Sequence, residues 1–219
     1  MPNLRNYRTS FHIIKYMKKY ILSIALIIFL TLNTNAHVDH YSNYNYLEYE
    51  LFRNNNSIGY HTYKFQRNGN DLKIENEVSF KITKLGVTLY KYYAKGIEKY
   101  KNGVFSGFSS ETNQNKKEKY VKITVDPNNK DLIIDGSSFK GKVDKDMIIG
   151  TWWNHEIVSK KAQISAVSGR IIEQKVEFKG KEEVKIGEKV YKTLRFNFSS
   201  SDPSLSKDKK LNTDIWYEE

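Results

Sequence analysis

Residues 150–158 read "GTWWNHEIV" and place two adjacent tryptophans beside an amide, an imidazole and a carboxylate, in a chain with three Trp and five His. His155-Glu156 could open a zinc-protease helix. That chemistry needs a second histidine four residues on, on the same helix face, and Ser159 stands there. "GSSFKGK" at 136–142 has the Gly and Lys spacing of a phosphate loop, but Val143 occupies the magnesium-binding Ser/Thr position and no helical pattern follows. A G-x-S-x-G nucleophile elbow is absent. Glu182, Glu183 and Glu188 fall in a turn-rich stretch where solvent is expected, whereas a glycosidase holds two carboxyls roughly 5–9.5 Å apart across a cleft. The chain has no cysteine, which excludes thiolate catalysis, disulfides and Cys-ligated metal.

What remains is aromatic, with 16 Tyr, 11 Phe and 3 Trp. The expected ligand contacts are Trp152, Trp153, Asn154, Tyr90 and Tyr92, which would line a surface for an apolar or sugar-like molecule. The competing reading is packing: aromatic bodies fill strand faces while their polar atoms find partners. On that reading Trp152 and Trp153 form a plug or lip at an open end of the sheet, and Asn154 caps a short helix. No catalytic residue and no cofactor are expected. The one metal reading concerns His37, where an N-terminus created after Ala36 would offer copper an amine and an imidazole together; a frayed polar terminus competes with it.

Strands must position these groups. In "DLKIENEVSFKI" Leu72, Ile74, Val78, Phe80 and Ile82 fall on one face of an extended segment, with Asn76 as the exception. The same period of two recurs around Val121, Val176 and Phe196. Turn residues punctuate the runs at Asn54 to Asn56, Asn68-Gly69-Asn70, Asn102-Gly103, Asp135-Gly136, Gly180-Lys181 and Gly187-Glu188. The pattern predicts ten strands, near 44–53, 58–67, 72–82, 89–100, 104–112, 119–125, 131–134, 171–179, 189–199 and 211–218. An all-β fold follows: a single curved antiparallel sheet in meander order, closing as a barrel or half-barrel. Residues 144–165 break the alternation, and a short helix is expected within this insert, near 154–162.

The N-terminal residues read as an address. From Met17, "MKKYILSIALIIFLTLNTNA" has a basic start, an apolar run at 21–32 and small residues ahead of position 37, the layout of a cleaved secretory signal peptide over 17–36. The run is short of the ~20 residues that a spanning helix needs. Residues 1–16 extend the basic region or precede the true start. Residues 1–36 hold five of the 36 Lys/Arg and none of the 25 Asp/Glu, so the formal +11 falls to +6 for the expected single β domain, residues 37–219. Periplasmic or secreted placement is expected, peripheral to a membrane at most, and nucleic acid is not an expected partner.

Taken together, "FRNNNSIGYHTYKF", "VSFKITKLGVTLYKYYAKGIEKYKNGVFSGFSSETN", "TWWN" and "DIWYEE" resemble, in order, landmarks of the secreted bacterial proteins grouped as domain of unknown function 6134, and they look like the related family numbered 3108. The landmarks are Ile58-Gly59, the turn at Lys101-Asn102-Gly103, Ser110 to Thr112, Trp152-Trp153-Asn154 and the D-x-W-Y strand from Asp214. The resemblance implies a curved antiparallel β domain of the bacterial envelope, with no catalytic residues to carry over. Such proteins look as if they continue past the D-x-W-Y strand, so the chain is expected to be C-terminally truncated. The expected function is non-enzymatic binding of a lipid or other amphipathic molecule on the concave sheet face. The alternatives are a module that docks on envelope proteins or glycan, and a hydrolase of unrecognised type.

Overall fold

The computed structural model describes residues 41–219 apart from Ser42, Asn129 and Asp208. The expected signal segment, together with His37 and His40, lies outside the described residues.

Eight strands form one antiparallel meander: β1 (Tyr46–Arg53), β2 (Asn56–Asn68), β3 (Asp71–Lys84), β4 (Val87–Lys101), β5 (Val104–Gln114), β6 (Lys117–Val125), β7 (Asp131–Gly136) and β8 (Lys140–Asp144). A second sheet has the order β13-β12-β11-β10-β9, from β9 (Ile148–Ile149), β10 (Ala162–Ile164), β11 (Ile171–Ile186), β12 (Lys189–Ser200) and β13 (Asn212–Glu218). All its pairs are antiparallel except β9 with β10. The all-β antiparallel meander therefore stands, but as two sheets, and no closed barrel forms among the described residues.

Turn chemistry sets the hairpins. The central residues at Asn54-Asn55, Asn102-Gly103 and Asn115-Lys116 all have positive φ, the geometry whose twist matches paired strands. All ten expected strands are present with shifted ends. The punctuation at Gly180-Lys181 is a correction: no turn occurs there. Gly180 sits at a β-bulge opposite Arg195, and β11 runs on to Ile186. The expected helix near 154–162 is a single 3-10 turn, His155–Ser159, and the same insert supplies β9 and β10, too short for a period of two to reveal.

Ile148 and Ile149 are both buried, and neighbours on a strand face opposite ways. Ile149 joins the core of the first sheet, with Phe108, Val121, Ile123, Leu132, Ile134 and Ile164. Ile148 joins the core of the second, with Ile157 and Phe198. The dipeptide is the seam between two hydrophobic clusters, and the segment carrying the tryptophans leaves directly from it.

Candidate functional site

The segment after the seam is held by its own backbone carbonyls. The Tyr63 hydroxyl on β2 donates to the Thr151 carbonyl, and the Tyr217 hydroxyl on β13 donates to the Trp152 carbonyl at 3.1 Å. Trp152 has φ 68°, in the left-handed region that bulky residues rarely enter. That turn sends the two indoles to different clusters. Trp152 meets the Phe198 ring edge-on at 5.2 Å in the core of the second sheet. Trp153, 3% exposed, is ringed by Tyr41, Phe65 and Tyr100, each about 5.9 Å away and edge-on.

Beneath Trp153 lies a carboxylate that sequence reasoning missed. Glu98 on β4 is 3% exposed and has a partner at each oxygen. Oε1 accepts from the Tyr100 hydroxyl at 2.5 Å; Oε2 accepts from Trp153 Nε1 at 2.9 Å and from Thr151 Oγ1 at 3.1 Å. Burial raises the Glu98 pKa above the ordinary carboxylate range, while the hydrogen bonds from Tyr100, Trp153 and Thr151 pull the other way. A raised, buried carboxyl is a common mark of catalysis. Here both oxygens are engaged by the protein's own donors, an arrangement that ties β4 to the tryptophan segment. The signal was available in the sequence: the face of β4 that carries Tyr90, Tyr92, Ala94, Gly96 and Tyr100 has one charged member, Glu98.

Asn154 occupies the N-cap of the 3-10 turn, with Oδ1 accepting from the Glu156 amide at 3.0 Å. Gln174 on β11 secures the other end, donating to the Ile157 and Lys160 carbonyls. Asn154→Ala is expected to cost about 1 kcal/mol, read as a lower urea midpoint at unchanged slope.

The remaining expected contacts lie elsewhere on the same sheet face. Tyr90 and Tyr92 stack on Phe80 of β3 at 6.0 and 5.0 Å, and all three are half-buried. Along β4 this face is closed at Gly96, Glu98 and Tyr100 and opens at Tyr90, Tyr92 and Ala94. The structure thus keeps Trp152, Trp153 and Asn154 on one segment, with the half-buried Trp152 and the buried Trp153 in different clusters, and leaves Tyr90 and Tyr92 apart from both. His61 stands beside Tyr63, with ring centroids 4.4 Å apart, and burial lowers its pKa to about 4. Among the described residues no three His, Cys, Asp or Glu side chains group as metal ligands would. Glu182 has a part-exposed side chain that accepts from Arg195 at 3.0 Å and from Trp216 Nε1 at 2.8 Å.

The profile of a family described as Domain of unknown function (DUF6134) matches residues 49–219. No curated protein and no solved structure matches.

Proposed function

The chain belongs to the DUF6134 family, which brings no activity with it, and we propose from the geometry that it is an exported envelope protein that binds an apolar or amphipathic molecule without transforming it. The observation that supports this is the change of exposure along one sheet face. The Glu98–Trp153 junction seals one end, while Phe80, Tyr90 and Tyr92 form a stacked, half-open shelf at the other. Aromatic rings flanked by Val78, Ile82 and Ala94 offer an apolar chain a surface, and the tyrosine hydroxyls offer its polar end a partner. The site is an open shelf, not a chamber. A depression of about 180 Å³ elsewhere is lined by Lys181, Glu182, Glu183 and Lys192, too charged for such a ligand.

The test is native mass spectrometry of the protein purified from its own envelope, followed by solvent extraction. A bound lipid or similar molecule is expected, with occupancy reduced in Tyr92→Ser by more than its loss of folded protein accounts for. A clean mass at all loadings would overturn the reading.

The second reading, an assembly module, rests on β1. It is one of the two outer strands of the first sheet among the described residues and exposes Tyr46, Tyr49 and Phe52. An edge of that kind invites pairing with another chain. Stoichiometric protein partners in the same spectra would favour it.

A further inference from the structure

The β3–β4 hairpin stands out beyond the sheet that carries it. Pairing of β3 with β2 ends at Gly59 opposite Phe80, and pairing of β4 with β5 ends at Tyr92 opposite Gln114. Beyond those points Lys81–Lys84 and Val87–Lys91 pair with each other, and one further bond, from the Asn115 amide to the Lys91 carbonyl at 2.7 Å, ties the base of the hairpin to the β5–β6 turn. Four residues of extended strand reach roughly 13 Å. A two-stranded ribbon of this kind has little stability of its own, so its composition answers to something other than core packing.

That composition is apolar and basic. Leu85 is 95% exposed, Val87 63% and Leu89 55%. From Val78 to Ile97 the chain carries Lys81, Lys84, Lys91 and Lys95 and no acidic residue. Among the described residues none of these lysines enters an ion pair. In a meander, the β1–β2 and β5–β6 turns lie at the same end of the sheet. They add Arg53, Lys116 and Lys117, with Glu118 bonded to Asn113, and the β7–β8 turn at the same end adds Asp135, which is paired with Lys140.

Leu85 is also in a costly conformation. Its φ is 51°, where the other turns at this end place Asn54, Asn55, Asn115 and Lys116. A bulky apolar side chain at positive φ is a genuine outlier, and an asparagine there would be easier for the turn. The turn therefore carries strain while holding its largest apolar side chain almost fully in solvent.

We propose that the β3–β4 hairpin is a membrane-docking element: Leu85, Val87 and Leu89 enter the headgroup region of an anionic bilayer, and Lys81, Lys84 and Lys91 meet its phosphates. Charge complementarity identifies the occupant. An apolar tip alone would suit many surfaces, but a tip ringed by unpaired lysines suits a negatively charged lipid surface. The β11–β12 tip provides the contrast. It exposes Ile186 and Val190 as well, but has Glu183 and Glu188 among its lysines and so lacks the uniform charge. The proposal does not depend on a ligand at the Phe80 shelf.

The absence of native cysteine allows a single reporter to be placed in the full chain. Leu85→Cys carrying an environment-sensitive fluorophore is mixed with phosphatidylcholine vesicles, with and without phosphatidylglycerol, and Val190→Cys labelled in the same way is the control. Emission from position 85 should shift to the blue and become protected from iodide on the anionic vesicles. The effect should weaken roughly tenfold or more when K81E, K84E and K91E are combined or when salt is raised. Position 190 should stay in water. Leu85→Asn should reduce vesicle binding while leaving the melting temperature unchanged or higher. A label at 85 that stays in water on anionic vesicles, even if the chain sediments with them, overturns the proposal. So does a response shared equally by positions 85 and 190, or one untouched by charge reversal.

Discussion

Glu98→Ala is expected to destabilise the protein by about 3–5 kcal/mol, from the cavity it opens and the buried donors it leaves without an acceptor. The substitution leaves the Trp153 indole, the Thr151 hydroxyl and the Tyr100 hydroxyl without their acceptor inside a site that is almost fully closed. For a domain of this size the melting temperature should fall by roughly 10–15 °C. Glu98→Gln separates the two contributions, shape and charge. The amide oxygen can still accept from Trp153 and Thr151, and the Tyr100 hydroxyl can turn to accept, so the loss should be about 1 kcal/mol or less. Acidity supplies a further check. Burial raises the Glu98 pKa in the folded state, so the folded chain holds this proton more tightly than the unfolded chain does. Its contribution to stability is therefore fully present below the ordinary glutamate pKa and declines as pH rises through the raised folded value. Denaturant titrations across that window should show the decline in the wild type and its loss in Glu98→Gln. A Glu98→Ala protein that melts with the wild type would remove the junction as the keystone.

Gly59→Ala should cost about 3 kcal/mol, at the upper end of ordinary overpacking, because the obstruction is main chain. A Cβ at Gly59 would lie 2.0 Å from the Ser79 carbonyl oxygen and 2.6 Å from the Phe80 Cα, so β3 itself would have to move. The displaced residues begin the protruding hairpin and carry Phe80 of the aromatic shelf. Chemical denaturation would report the loss, and amide exchange should rise first along the β2–β3 pairing. Gly96→Ala is the milder control: its nearest obstacle is the Asn76 side chain at 2.8 Å, which can swing aside.

These two positions also explain how much the sequence discloses. Alternation and turn residues locate the long strands because a strand with one dry face must repeat every second residue, and the hairpins fix the neighbours. The same rule fails at Ile148–Ile149 and at Ala162–Ile164, which are too short to contain a period, and so the division into two sheets was not legible. Gly180 reads as a turn because a bulge and a turn ask for the same backbone freedom. The tryptophan segment was legible as an interruption and Asn154 as its cap. Its partner Glu98 is legible only by parity: a glutamate on a lysine-rich strand looks solvated until the period of two places it on the inner face beside Tyr100. The five landmarks that carry the sequence resemblance fall largely on such joints. Gly59 admits β3, Ser110 Oγ donates to the Ala166 carbonyl, Trp153 seats Glu98, and Tyr217 pins Trp152.

The Tyr217–Trp152 hydrogen bond has a bearing on how the chain acquires its structure in time. The first eight strands pair only with sequence neighbours and can zip together hairpin by hairpin, each at small entropic expense. The junction is different, because Tyr63 lies 88 residues from Thr151, Glu98 lies 55 from Trp153, and Tyr217 lies 65 from Trp152. Those closures wait for distant segments, the last of them for β13. Each closes a longer loop than any hairpin of the meander does, at a correspondingly larger entropic cost. Local pairing alone can therefore build the meander, whereas sealing Glu98 and pinning Trp152 require segments from three distant parts of the chain.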